Sequence, residues 1–187
     1  SYGSFLPEVE GVAEIKPEIL FPKERISKRV RELAGQISRD YDGRELLLVG
    51  ILKGAFIFMA DLIRGISVPC KVDFVRLASY GGGSLSSGEV KITKDLEMPI
   101  EGRDVLIIED IIDTGLTLTH LLKVLRERRP ASLRVCAFLD KKERRQVAFD
   151  ADYVGFTIPD AFVVGYGLDF NENFRFLPDV CVLRDIA

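Results

Sequence analysis

The chain has 187 residues, of which 47% are hydrophobic and 29% charged, and its formal net charge is −3. This length fits one domain, and the composition excludes both intrinsic disorder and a broadly basic surface for nucleic acid. No apolar run is long enough to span a membrane, and the N-terminus lacks the pattern of a signal peptide. We therefore expect a cytoplasmic protein that binds neither nucleic acid nor membrane.

Hydrophobic periodicity predicts alternating helices and strands along most of the chain. Residues 24–39 carry apolar side chains at helical spacing, and the turn signal Asp42-Gly43 follows them. The continuous apolar run at 46–52 predicts a strand that is covered on both faces. Residues 55–63 are nearly all apolar and prefer a helix, which must be buried in the core or in a subunit contact.

Further strands are predicted near 70–77, at 105–108 and at 132–139. A helix between the last two is indicated by leucines at helical spacing, namely Leu118, Leu121, Leu122 and Leu125. Strand–helix alternation predicts an α/β fold with a mostly parallel sheet. The remaining apolar segments predict short strands of a small cap: DYVGFTI, FVVGYG and DVCVL. Residues 79–90 are rich in glycine and serine, which indicates either a disordered insertion or a mobile active-site lid.

Cysteine and histidine usage argues against a zinc site. The three cysteines are Cys70, Cys136 and Cys181. They lie far apart in apolar segments, which predicts buried thiols in a reducing compartment. The single histidine, His120, has no partners at ligand spacing, and we interpret it as a packing or surface residue. The basic cluster at 141–145 predicts a solvated face.

Three carboxylates follow a core-like strand in the segment VLIIEDIIDTGLT at 105–117. Burying the carboxylates of Glu109, Asp110 and Asp113 beside such a strand costs free energy unless each has a partner. In an open α/β sheet, ligands bind at the carboxyl ends of the strands. These carboxylates therefore suit the hydroxyl groups of a ligand, or a metal ion that a phosphate carries.

The turn after the carboxylates suits a phosphate. Gly115 permits a tight turn, and Thr114 and Thr117 add hydroxyl donors. Backbone amides at the start of the following helix favour an anion. A sugar phosphate would satisfy both the carboxylates and the turn. The plainer alternative makes Asp113 a helix N-cap and the preceding carboxylates ordinary exposed loop residues.

The segment VLIIEDIIDTGLTL at 105–118 resembles the phosphoribosyl-pyrophosphate motif of type I phosphoribosyltransferases. Three further segments resemble the hypoxanthine-guanine members of that family: 52–62, 79–90 and 158–175. The similarity runs from about residue 46 to 184. It implies the type I phosphoribosyltransferase fold, an α/β fold in which helices flank a central, mostly parallel sheet.

The resemblance also implies how the chain is organised and what it does. One domain would span 1–187, with a core at about 24–140 and a small hood from about 1–23 and 141–187. The implied activity is purine salvage with Mg²⁺. The 5-phosphoribosyl group moves from phosphoribosyl pyrophosphate to hypoxanthine or guanine, which gives IMP or GMP and pyrophosphate. Independently of the resemblance, the segment 55–63 has more apolar surface than one sheet face can cover, so we expect a homodimer or homotetramer that uses part of it.

The implied phosphoribosyl pyrophosphate site consists of Lys53, Gly54, Glu109, Asp110, Asp113, Thr114, Gly115, Leu116, Thr117 and Arg175. Glu109 and Asp110 would hold the ribose 2- and 3-hydroxyls, and the turn at 113–117 would cradle the 5-phosphate. Asp113 would take the proton from N7 of the purine as general base. The backbone of Lys53 would contact pyrophosphate through a cis peptide that joins it to Leu52, and the Arg175 side chain would also contact pyrophosphate.

The implied purine site consists of Lys141, Phe162, Val163 and Asp169. Lys141 would donate to the 6-oxo group and so select hypoxanthine or guanine over adenine. Phe162 would stack on the base, whose edge the Val163 backbone would read. Ser79 and Tyr80 would belong to the lid. The implied magnesium ligands are Glu109, Asp110 and Asp169.

Several alternatives stay open at this point. A transferase for xanthine or another base shares the same loop. A nucleotide-sensing regulator of nucleic acid, or a nonspecific sugar-phosphate-binding domain, would also use this fold. Leu116 departs from the family pattern, in which a basic or polar residue is frequent, although its backbone N–H keeps the expected contact. Without the resemblance, Lys53 and Lys141 would be interpreted as ordinary surface cations.

Overall fold

The computed structural model of the chain describes residues 16–79 and 90–184. In chain order its elements are β1 (Glu18–Phe21), α1 (Lys23–Asp40), β2 (Leu46–Leu52), α2 (Phe56–Gly65), β3 (Cys70–Ser79), β4 (Val90–Lys94), β5 (Asp104–Ile112), α3 (Leu116–Arg126), β6 (Ser132–Asp140), a 3₁₀ helix (Lys142–Arg144), β7 (Tyr153–Thr157), β8 (Val163–Val164) and β9 (Val180–Val182). The predicted helices and strands are confirmed, with ends that differ by a few residues.

Six strands form the main sheet in the order β4-β3-β2-β5-β6-β7. All neighbours pair in parallel except β4, which pairs antiparallel with β3. The predicted α/β fold with a mostly parallel sheet is therefore confirmed. The pairing of β2 with β5 ends at Gly50 and Ile108, whereas β5 continues beside β6 as far as Ile112 and Asp140. The carboxyl end of β5 thus opens a space next to the loop that follows β2.

The apolar run of β2 is buried on both faces of the sheet, as predicted. Leu46 and Leu48 join one core cluster, which also contains side chains of α1 and α2. Leu47 and Val49 join a second cluster, which contains the leucines of α3. Alternate residues of a strand face opposite sides, so helices on both faces require apolar residues at every position. Within the described residues, every helix is too short or too polar to cross a membrane.

A second, three-stranded sheet is built from both ends of the chain. β1 pairs antiparallel with β9, and β9 pairs antiparallel with β8. Its strands fall within the ranges 1–23 and 141–187 that the sequence analysis assigned to the hood, and we use that name for this sheet and the loop between β8 and β9. Residues 153–157, which the sequence assigned to the hood, instead form β7 at the edge of the main sheet. That part of the expected boundary was wrong, because the short strand pairs in parallel with β6.

Two further expectations need correction, and a third stays open. β5 is longer than the predicted 105–108, since Glu109 and Asp110 continue the strand. Cys70 is only partly buried, unlike Cys136 and Cys181, although all three thiols are free. The apolar helix α2 is only partly buried within one chain, so its cover by a subunit contact stays a prediction. Its buried side chains are Phe58, Met59 and Leu62, and its first residue is exposed.

Candidate active site

Two adjacent carboxylates at the carboxyl end of β5 begin the site. Glu109 Oε1 accepts a hydrogen bond of 3.0 Å from the Asp110 amide, and Asp110 Oδ1 accepts one of 2.7 Å from the Ile111 amide. Burial and the neighbouring Asp110 carboxylate raise the pKa of Glu109 well above its ordinary value. A positive group that approached this pair would offset the repulsion between the carboxylates.

The loop after β2 leaves room for these carboxylates because it carries a glycine. A Cβ at Gly54 would overlap the Asp110 carboxylate, so only glycine fits this close approach. On its other side, Gly54 O lies 2.5 Å from the position that a Cβ of Gly167 would take. The peptide between Leu52 and Lys53 is cis, as the family resemblance implied. Gly54 is therefore the point where the β2 loop, the β5 carboxylates and the hood loop meet.

The turn between β5 and α3 has the shape of an anion site. Gly115 has a φ of 84°, a left-handed conformation that favours glycine, and α3 begins at the next residue. The Leu116 amide donates to Thr114 Oγ1 at 3.3 Å. A cavity of about 220 Å³ is lined by residues of this turn, by Glu109 and by Arg144. Amides at the start of α3 and threonine hydroxyls could together hold a phosphate there.

Arg145 fixes the position of this turn from the side of the 3₁₀ helix. Its guanidinium donates at 2.6 Å to Asp140 Oδ1, at 2.8 Å to the Asp113 carbonyl and at 3.0 Å to the Phe149 carbonyl. The Asp140 side chain is 1% exposed and the Arg145 side chain 12%, so the pair is shielded from solvent. Removing one partner of such a pair strands a buried charge, which typically costs about 3–5 kcal/mol. The turn is therefore held by an interaction within the fold, independent of any ligand.

Arg144 makes a different kind of contact with the same loop. Its Nε donates to Asp113 Oδ1 at 2.9 Å, and its Nη1 lies 3.5 Å from Asp160 Oδ2. All three side chains are about half exposed. Arg144 thus links the turn before α3 to the segment that leads into β8.

The hood loop supplies a network of charges opposite the β2 loop. Glu172 accepts from Lys53 Nζ and from Arg175 Nη2, each at 3.0 Å. Arg175 Nη2 also lies 3.4 Å from Asp169 Oδ1, and its Nη1 donates to the Gly167 carbonyl at 2.7 Å. Arg175 Nε is buried and has no hydrogen-bond partner among the described residues. An anionic ligand could replace the Glu172 carboxylate as the partner of Lys53 and Arg175.

Of the predicted purine residues, Lys141 follows β6, and Phe162 and Val163 lie at the start of β8. The Lys141 amide donates at 2.9 Å to the carbonyl of Ile112, and Lys141 is 9% exposed. Val163 is buried in β8, whereas Phe162 is 43% exposed and meets the Phe170 ring edge-on at 5.5 Å. The exposed face of Phe162 is free to stack on a planar ligand.

Most of the predicted site residues are thus brought around the end of β5, but some are not described. Ser79 is the last residue of β3, and its side chain lies outside the described part, as do residues 80–89 of the predicted lid, whereas Val90 begins β4. Sequence reasoning missed Arg144 and Arg145, because it interpreted the basic cluster as a solvated face, and it assigned no role to Glu172. That interpretation was wrong for Arg145. The signal for it was Asp140, a carboxylate at the end of an apolar strand that needs a nearby cation.

The oxygen donors at the end of β5 fit Mg²⁺ without forming a complete cage. Among the described residues, no group of three or more histidine, cysteine or acidic side chains is arranged to hold a metal. Mg²⁺ usually binds proteins through one or two carboxylates and takes its other ligands from water and phosphate. Glu109 and Asp110 meet that pattern, whereas Asp169 is engaged by Arg175 and by the Glu172 amide.

Comparison with known proteins points the same way. The family model described as phosphoribosyl transferase domain matches residues 18–171. A hypoxanthine-guanine phosphoribosyltransferase of Aquifex aeolicus is 50% identical over 171 residues, which cover 91% of this chain and 96% of that protein. The Bacillus subtilis protein of the same name is 49% identical over 167 residues, which cover 89% and 93%. A crystal structure of a hypoxanthine-guanine phosphoribosyltransferase from Bacillus anthracis has a TM-score of 0.87 at 46% identity, and the match covers 90% of this chain and 99% of that one.

The raised pKa of Glu109 predicts how the free energy of unfolding depends on pH. In the unfolded chain this carboxyl ionises near its ordinary pKa, so folding disfavours its ionised form. The penalty is absent below that ordinary pKa, grows as the pH rises towards the folded-state pKa, and stays constant above it. Glu109→Gln removes it. We expect the variant to be more stable than the wild type at pH 7.5, with a difference that shrinks as the pH falls towards 4.

Urea unfolding with a chelator present, at several pH values, measures this difference. Glu101→Gln is the matched control, since the Glu101 side chain is 69% exposed on the surface and its replacement should leave the pH profile unchanged. Equal unfolding free energies for the wild type and Glu109→Gln across the range would contradict the prediction.

Proposed function

The chain belongs to the phosphoribosyl transferase family, and on that basis we propose that it makes purine nucleotides by salvage. It transfers the 5-phosphoribosyl group from phosphoribosyl pyrophosphate to hypoxanthine or guanine, which yields IMP or GMP and pyrophosphate. One observation carries this function: the carboxylates at the end of β5 adjoin both the Gly54 backbone and the turn that opens α3. A ribose with a phosphate on one side and pyrophosphate on the other fits between them.

The substrate is held by groups of opposite character. Glu109 and Asp110 accept from the ribose 2- and 3-hydroxyls, while the amides of residues 113–117 donate to the 5-phosphate. Mg²⁺ bound near the two carboxylates would neutralise negative charge on the pyrophosphate leaving group. Arg175 supports that role, because its Nη2 pairs with the exposed Glu172 carboxylate, which a pyrophosphate oxygen could replace.

The reaction exchanges one bond at C1 of the ribose for another. N9 of the purine bonds to C1, and the C1–oxygen bond to pyrophosphate breaks, so that pyrophosphate leaves with the electron pair. Asp113 accepts the proton that N7 of the purine loses. The electrostatic contribution comes from Arg175, the Lys53 backbone and the amides, which face charge that develops on the leaving group.

The purine is chosen by Lys141 and the segment from 162 to 169. Lys141 can only donate, so it pairs with the 6-oxo oxygen of hypoxanthine or guanine and meets another donor in adenine. Phe162 offers stacking area that every purine can use, so it contributes affinity more than choice. Val163 and Asp169 read the other edge of the base. Xanthine also has a 6-oxo group, with which Lys141 could pair in the same way.

We also propose that the enzyme is a homodimer or homotetramer in the cytoplasm. A groove of about 650 Å³ lies between α1, α2 and the segment at 175–178, and apolar side chains line much of it. Phe176 at its rim is 63% exposed. A second copy that covered this surface would remove apolar area from water. The free thiols fit a reducing compartment.

Replacing the general base tests the assignment of Asp113. Asp113→Asn keeps the size and polarity of the side chain but cannot accept the N7 proton. We expect turnover with hypoxanthine to fall by about 10²–10⁴-fold, with a much smaller change in the KM for phosphoribosyl pyrophosphate. Asp95→Asn is the control, since Asp95 pairs with Arg128 at the opposite edge of the sheet. Turnover of Asp113→Asn within a few-fold of the wild type would exclude Asp113 as the base.

Assays with each purine test both the function and the pocket. With Mg²⁺ and phosphoribosyl pyrophosphate, we expect turnover of hypoxanthine and guanine and negligible turnover of adenine. Lys141→Met should lose most of the 6-oxopurine activity while its melting temperature stays close to that of the wild type. Lys142→Met is the matched control, because the adjacent Lys142 is exposed. Adenine turnover comparable to guanine, or an active Lys141→Met enzyme, would show that the purine pocket is assigned to the wrong residues.

Sedimentation velocity at micromolar concentration tests the assembly. We expect a dimer or tetramer for the wild type and a weaker association for Phe176→Ser, which removes an exposed ring from the groove. Val72→Thr is the control, since Val72 is an exposed apolar residue on β3. A wild type that sediments only as a monomer would refute the proposal.

A further inference from the structure

The turn that is proposed to hold the 5-phosphate contains no basic side chain. Residues 113–117 read Asp-Thr-Gly-Leu-Thr. Their amides and hydroxyls offer donors, but the loop also carries the Asp113 carboxylate and follows two more carboxylates. A phosphate dianion in this position would be repelled by all three. The amides and hydroxyls of the loop are uncharged, so they do not neutralise the phosphate and the carboxylates. A cation from another segment could offset that negative charge.

Arg144 is in the right place to offset that charge. Of the described residues that line the cavity of about 220 Å³ beside this turn, Arg144 is the only one with a positive charge. Arg145, its neighbour, is already committed to three contacts inside the fold. Lys141, another cation of the same segment, is only 9% exposed, and its amide donates to the Ile112 carbonyl. Lys142 is exposed but does not line this cavity.

The contacts of Arg144 are ones that it can exchange. It uses a single N–O contact to Asp113 and a longer one to Asp160, and neither is bidentate. Its side chain is 47% exposed, so water screens both contacts and leaves space for the guanidinium to move. A phosphate can instead take two parallel hydrogen bonds from one guanidinium, which is a stronger arrangement.

We propose that Arg144 is the cation of the phosphate site: it pairs with Asp113 in the free protein and turns to the 5-phosphate when the phosphoribosyl group binds. This movement has a second consequence. It releases the Asp113 carboxylate, which then accepts from N7 of the purine. Binding of the phosphate would thereby free the base for the second substrate. The inference rests on the proposed function, because it concerns the phosphate of that substrate.

Calorimetric titration with ribose 5-phosphate tests the proposal directly, since this probe contains the phosphate and the ribose but neither pyrophosphate nor purine. We expect Arg144→Met to weaken its binding by about tenfold, the effect of one lost charged hydrogen-bonding group. Arg144→Lys should recover part of the loss, because it restores the charge but not the bidentate geometry. Arg128→Met, which breaks a surface pair remote from the site, should bind like the wild type.

Steady-state kinetics separate this role from a merely structural one. The proposal requires that Arg144→Met raise the KM for phosphoribosyl pyrophosphate, with little change in melting temperature or in affinity for pyrophosphate. Unchanged binding of ribose 5-phosphate would overturn it. So would a fall in kcat with no change in that KM, which would mean that Arg144 only orients Asp113. A wild-type protein that binds no ribose 5-phosphate and turns over no purine would refute the proposed function itself, and the inference with it.

Discussion

Negative charge concentrated at the carboxyl end of β5 is the constraint to which the surrounding structure responds. Glu109 and Asp110 stand side by side, and Asp113 follows within the next turn. Burial makes this arrangement costly, as the raised pKa of Glu109 indicates. Each neighbouring segment relieves the cost differently. Gly54 gives the carboxylates space, the start of α3 presents amides, and the segment at 141–145 brings cations.

The two arginines of that segment make different kinds of contact: those of Arg145 are buried and permanent, whereas those of Arg144 are exposed and can be exchanged. Arg145 is buried against Asp140 and binds the main-chain carbonyl of Asp113, so it fixes the path of the loop. Arg144 is half exposed and binds the Asp113 side chain, so ligand oxygens can compete with it. The backbone of the site is therefore fixed while a side chain can change its partner. Such preorganised backbone groups lose less entropy on binding.

A similar exchange is built into the opposite wall of the site. Glu172 holds Lys53 and Arg175 together, and both cations belong to the side where pyrophosphate is proposed to lie. Several residues of this hood loop, including Glu172 and Phe174, have positive φ values that non-glycine residues seldom adopt. The loop therefore holds its charged side chains in place at a cost in backbone conformational free energy. The free protein keeps both walls neutralised by its own side chains, which a charged substrate would then replace.

The sequence by itself determined the architecture and the chemistry of the central loop. The apolar run of β2 requires helices on both faces, and the pattern of 105–117 places carboxylates before a phosphate-sized turn, because both are local regularities. The roles of Arg144, Arg145 and Glu172 were decided only by the tertiary structure. Arg144 and Arg145 contact Asp113 across 31 and 32 positions of the chain, and Glu172 contacts Lys53 across 119. The same holds for β7, whose short apolar pattern fits either sheet until its pairing with β6 is formed. An ionic contact has no period along the chain, so only the fold can show which charges in a basic cluster face water and which face a carboxylate.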